Sequence, residues 1–119
     1  MRDKIQAALE QLDSYVQYGN VRNRSDALPQ LNYTVFCRKT AKVNQGRTDL
    51  TVYWEVSIVR ENEVPMAEVE RYLETLGNIP GLKVAGDPIQ FWAQYMDGTK
   101  CQLEAVALSF VESRKQRLS

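Results

Sequence analysis

The 119-residue sequence contains no histidine. That absence removes Ser-His-Asp and Cys-His catalysis and the usual zinc sites, leaving carboxylate or lysine chemistry as the only enzymatic routes. Cysteine is scarce: Cys37 and Cys101 have no metal-ligand spacing and are expected as buried or half-buried reduced thiols in a reducing compartment. No apolar run approaches the roughly 20 residues of a transmembrane helix. The N-terminal MRDKIQAALEQLDSYV mixes charges into its apolar pattern, unlike a signal peptide, so the expected place of synthesis and use is a cytoplasm. Gly19, Gly46, Gly77, Gly81, Gly86 and Gly98 are scattered, and none belongs to a phosphate-binding motif. No cofactor is expected.

Net charge is absent too, with fifteen basic and fifteen acidic residues, but the two signs are segregated. Between Val21 and Thr48, six basic residues stand against Asp26 alone, a net of +5. Between Glu55 and Glu74, six glutamates stand against Arg60 and Arg71, a net of −4. Such asymmetry suggests complementary docking, within the fold or between copies.

What is present is periodic. Ile5, Leu9, Leu12 and Val16, widened by Ala8 and Tyr15, predict an amphipathic helix over residues 3–18, stopped at Gly19-Asn20. The segment NVRNRSDALPQL has no period and reads as a connector. Asn32–Arg38 alternates, with Tyr33, Val35 and Cys37 on one face and Thr34, Phe36 and Arg38 on the other, and predicts a strand. DLTVYWEVSIVR gives the clearest strand pattern, with Leu50, Val52, Trp54, Val56 and Ile58 facing a core and Thr51, Tyr53, Glu55 and Ser57 facing water. VPMAEVERYLETLG predicts a second helix with Met66, Val69, Leu73 and Leu76 buried beside Tyr72. LKVA reads as a short strand. A hairpin follows, with Asp97-Gly98 as a type I′ turn, Trp92 opposite Leu103 and Tyr95 opposite Lys100. The last strand, KCQLEAVALSFV, is apolar on both faces beyond Glu104, which places it centrally in its sheet.

The expectation is therefore one α+β domain over residues 1–119. An antiparallel sheet of four to five strands carries two helices on one side, in the order α-β-β-α-β-β. A long basic loop spans residues 38–48, and residues 113–119 form a flexible polar tail.

Two groups of residues could act. Glu61, Glu63, Glu68 and Glu70 could supply an acid-base pair or bind a hard cation, but they lack a second cluster and read mainly as helix-capping and solvated carboxylates. The loop residues Arg38, Lys39, Lys42 and Arg47 fit a solvated loop, a protein interface or a phosphate contact. The third reading is weakened by the lack of interleaved aromatics and of net positive charge. Several aromatics, among them Phe36, Tyr53, Trp92 and Tyr95, fall on nominally wet faces or split between faces, which suggests a covered sheet surface: helix packing within the monomer accounts for part of it and self-association for the rest.

The run NYTVFCRKTAK, then DLTVYWEVSIVRENEVP opening a helix, then a Gly-Leu strand and EAVALSFVESRK, resembles the tail-terminator, or tail-completion, proteins of long-tailed bacteriophages and prophages. The likeness extends from about Ile5 to Lys115 and rests on element order and strand patterns. It implies a non-enzymatic virion protein of the neck and tail, assembled in the host cytoplasm as a hexameric ring that ends tail-tube polymerisation and provides the head-joining surface. The implied partners are further copies of the chain, the tail tube protein and a head-tail connector or stopper, with DNA passing through the lumen and no membrane. In a ring, the segregated charge suggests that Arg38, Lys39, Lys42 and Arg47 meet an acidic surface near Glu61, Glu63, Glu68 and Glu70 of an adjacent subunit, the tube or the connector, and Tyr53 is a further candidate interface residue. The alternatives are another head-tail adaptor, a nucleic-acid-binding accessory protein and, third, a carboxylate enzyme.

Overall fold

A computed structural model describes residues 1–19, 32–43, 49–86, 88–95 and 102–115. The element order is α1 (Arg2–Glu10), β1 (Val16–Tyr18), β2 (Tyr33–Val43), β3 (Asp49–Glu61), α2 (Met66–Gly77), β4 (Leu82–Val84), β5 (Gln90–Tyr95) and β6 (Gln102–Lys115). The fold is α+β with six strands, one more than the expected upper limit, and not wholly antiparallel. The sheet runs β1-β2-β3-β6-β4, with β5 also on β6. β1 pairs parallel to β2 while the other pairings are antiparallel.

The parallel strand arises where the first helix was expected to continue. α1 ends at Glu10 in a tight turn, with Leu12 N–H and Asp13 N–H both bonding Leu9 O at 2.9 Å. Asp13 Oδ1 then accepts from Tyr15 N–H at 3.1 Å, a side-chain turn that competes with helix. The β-prone Val16-Gln17-Tyr18 pairs with Thr34-Val35-Phe36. Gly19, at φ +93°, leaves the strand in a conformation that L side chains rarely adopt.

The expected basic loop is largely strand. β2 extends to Val43 and pairs with β3 as far as Val43↔Leu50, with a register shift between Arg38 and Thr40. Lys39 is the additional residue of a β-bulge there, and it advances the side-chain phase by one. Before the bulge the even-numbered residues Thr34 and Phe36 lie opposite Ile58 and Val56; beyond it the odd-numbered Ala41 and Val43 lie opposite Val52 and Leu50. No single alternation therefore runs through residues 33–43, and the sequence pattern stops at Arg38. Residues 44–48 lie outside the described residues.

The polar tail is strand as well: β6 runs to Lys115, opposite Asp49. Its central position is as expected, with β3 along one side and β4 and β5 sharing the other. The hairpin register differs, since Trp92 lies opposite Ala105, Gln94 opposite Leu103 and Tyr95 opposite Gln102. The Asp97-Gly98 turn lies outside the described residues.

Both helices pack on one face. Ile5 and Leu9 of α1 and Val69, Tyr72 and Leu76 of α2 join Phe36, Val52, Trp54, Val56, Ile58, Val106, Leu108 and Phe110 in one core. Each such side chain removed from water contributes about 1.5–3 kcal/mol. Phe36, expected on a wet face, is buried at the centre of this core, and Met66, expected in the buried stripe, is exposed. A smaller cluster of Tyr33, Val59, Leu103 and Ala105 lies on the opposite face. Among the described residues no helix is long and apolar enough to cross a membrane.

Candidate assembly surface

The long strands place the basic and acidic groups at opposite ends. Arg38, Lys39 and Lys42 are exposed on β2. Residues directly paired in a ladder share a face, so Lys42, opposite Thr51, and Tyr53, opposite Thr40 and Val111, lie on the face that carries no helix. Arg38, opposite Trp54, lies on the helix-bearing face. Glu61, the last residue of β3, and Glu63 beyond it are exposed at the far end. Ten strand residues separate Thr51 from Glu61, about 33 Å at the usual rise. Glu70 is exposed on α2. Arg47 lies outside the described residues.

Among the described residues, a basic and an acidic side chain of these strands meet at Lys39 and Glu55. Lys39 Nζ donates to Glu55 Oε2 at 2.9 Å, in a pair whose lysine side chain is 62% exposed. An ion pair this open is worth a few tenths of a kcal/mol. The pair borders a shallow depression on the open face, also lined by Pro88, Gln90, Ala107 and Ser109. Cys37, a free thiol, lies directly across the ladder from Glu55. Burial and the Glu55 charge push its pKa up, with Lys39 pulling the other way.

Glu68 is not a solvated carboxylate. It belongs to a network that draws both helical segments onto the sheet. Arg60 at the end of β3 donates from Nε and Nη2 to Glu68 Oε1, each at 3.1 Å, and from Nη2 to Tyr72 Oη at 3.0 Å. Its Nη1 donates to the backbone carbonyls of Tyr33 and Val59 and lies 3.1 Å from Asp13 Oδ2. Thr34 Oγ1–H donates to Asp13 Oδ2 at 2.7 Å. With that proton committed, the 2.8 Å contact between Thr34 Oγ1 and Tyr72 Oη is donated by the tyrosine. Desolvation works against the Arg60 charge, but the Glu68 hydrogen bond and the neighbouring Tyr72, Asp13 and Glu68 outweigh it and raise its pKa.

Sequence reasoning missed this network, although one signal was there. Arg60 continues the even-numbered stripe Val52, Trp54, Val56, Ile58 into the helix-covered face. A charge in phase with a core demands buried partners. A second internal contact, Trp54 Nε1–H to Glu112 Oε1 at 3.0 Å, ties β6 to β3 just before the expected tail, which continues as strand by pairing with Asp49–Thr51. Among the described residues no buried side-chain nitrogen or oxygen lacks a hydrogen-bond partner.

The exposed apolar residues form a third feature. Val84 on β4, Ile89, and Phe91 and Trp92 on β5 lie along the side of β6 away from β3, and Val43 stands at the end of β2. Among the described residues no group of three or more Cys, Asp and Glu is placed to hold a metal ion. No family model matches the sequence, and neither does any curated protein.

Proposed function

We propose that this chain is a structural assembly protein of a bacteriophage neck and tail, working as a ring of identical subunits that ends tail-tube growth and offers a surface for joining the head. The observation that carries the reading is the separation of Arg38, Lys39 and Lys42 from Glu61 and Glu63 along the same pair of strands. At the usual strand rise Arg38 stands about 23 Å and Lys42 about 33 Å from Glu61, so these charges do not neutralise each other within the chain. In a cyclic ring each interface joins two different patches, which is the arrangement such a separation suits. The sequence resemblance supplies the place of action: the tail tube and a head-tail connector as further partners, and DNA passing through the lumen.

The basic end, with Arg47 and Tyr53, meets the acidic surface of Glu61, Glu63 and Glu70 on a neighbouring subunit or on the tube. Glu68 adds to the local negative charge while held by Arg60. Replacing Lys42 and Arg47 together by Glu is expected to abolish assembly at low salt and leave the circular dichroism spectrum of the monomer unchanged. Ring formation by that variant at low salt would contradict the reading. Sub-micromolar DNA binding with a steep salt dependence would instead favour a nucleic-acid-binding accessory protein.

A further inference from the structure

The helix-bearing face of the sheet runs on past the core that the helices close. Ala41 lies opposite Val52 and Val43 opposite Leu50, so all four side chains share that face. Val52 is 4% exposed within the core, whereas Leu50 is half-buried, Ala41 exposed and Val43 61% exposed. Arg38, opposite Trp54, is exposed on the same face. This end of the sheet is an apolar ledge with a cation beside it.

The complement lies at the other end of β3. There α2 begins at Met66, which is 57% exposed, and Ala67 after it is exposed too. Glu70 is exposed one helical turn on, four residues from Met66 and so on the same helix face. Glu63, just before the helix, is also exposed. Val43 and Met66 are the two most exposed large apolar residues among the described ones. One is set beside cations and the other beside carboxylates, and an apolar centre with a charged rim is how protein interfaces are built.

Charge selects the occupant. Two ledges face to face would set Arg38 against Arg38, and two α2 starts would set carboxylate against carboxylate, both unfavourable. We infer that the ledge of Ala41, Val43 and Leu50 is the seat for the first turn of α2 of a second copy of this chain, with Met66 against Val43 and Glu70 towards Arg38. The contact places a further helix on the sheet face that already carries two. Its two halves lie at opposite ends of one chain, so it is head to tail and repeats from copy to copy. The inference rests on the ring reading for that repeat and deepens it by naming the surfaces that meet.

Disulfide trapping with charge exchange tests it. In a background with Cys37→Ser and Cys101→Ser, one protein carries Val43→Cys and another Met66→Cys; the two are oxidised alone and mixed, with and without tail tubes. The mixed dimer is expected as the dominant product, with little homodimer from either protein alone. Arg38→Glu on the Val43→Cys chain is expected to remove it, as is Glu70→Arg on the Met66→Cys chain, and the two changes together to restore it. Circular dichroism checks each fold, and because Glu70 is exposed on a helix, its variant carries the test if Arg38→Glu fails to fold. A dominant homodimer, or a mixed dimer indifferent to these charges, would overturn the pairing. Wild-type rings at tail-tube ends without the mixed dimer overturn this seat and leave the ring reading standing. The mixed dimer without rings supports the seat and defeats the ring reading, and the absence of both defeats both.

Discussion

The indole N–H of Trp54 donates to Glu112 Oε1 at 3.0 Å, with both residues buried. This bond joins β3 to β6 in the stretch beside the basic residues of β2, at the opposite end from Glu61. Glu112→Ala strands a buried donor and is expected to cost about 1–3 kcal/mol, while Glu112→Gln retains an acceptor and costs less. Urea unfolding measures the difference, and hydrogen exchange at residues 111–115 should accelerate in the alanine variant. Equal stability of the alanine variant and the wild type would show that the bond does not hold the strand.

Arg60 is the cation at the centre of the Asp13, Glu68 and Tyr72 network. Arg60→Met leaves two carboxylates facing each other across a largely buried space and is expected to destabilise the fold by about 3–5 kcal/mol. Adding Asp13→Asn and Glu68→Gln to that variant removes the uncompensated charges and is expected to recover part of the loss, measured by denaturant midpoint.

Tyr72 gives the fold an alkaline limit. Burial lifts its hydroxyl above the ordinary value of 10.0, with Thr34 and Arg60 pulling it down and Asp13 pushing it up. Because the folded pKa exceeds the unfolded one, the contribution is fully present below about pH 10 and is lost as pH rises through the folded value. Tyr72→Phe is expected to be less stable at neutral pH by about 1 kcal/mol and to lose less stability above about pH 10. Unfolding midpoints taken across that range read both effects.

The Cys37 thiol, raised from 9.0 by burial and Glu55, is expected to react slowly with a thiol reagent at neutral pH. Measured in a Cys101→Ser background, its rate should rise only as pH passes about 9, and Glu55→Gln should shift that rise to lower pH. A rate matching a free thiol at neutral pH would contradict the burial argument.

The parts of the fold legible in the sequence are those where one period persists. β3 alternates without interruption from Leu50 to Ile58, and α2 repeats its stripe through Val69, Tyr72 and Leu76, so both were found with nearly correct bounds. β2 was cut short because the bulge at Lys39 breaks the phase, and because charges at Arg38, Lys39 and Lys42 mimic a loop when nothing shows that the backbone pairs with Thr51–Trp54. α1 was overextended because Tyr15 and Val16 fit a helical stripe as well as a strand, and only the tertiary partner Thr34–Phe36 decides. Of the candidate site residues, the separation of sign was visible in the sequence. The engagement of Glu68 by Arg60 was not, since it depends on a contact eight residues apart across a strand-to-helix turn.

The central claim is that this chain forms rings that cap a tail tube. Electron microscopy of the purified protein, alone and mixed with tail tubes, tests it most directly. The account predicts rings seated at one end of each tube, absent when Lys42 and Arg47 are replaced by Glu. A protein that remains monomeric and leaves tube ends bare and still growing would contradict it.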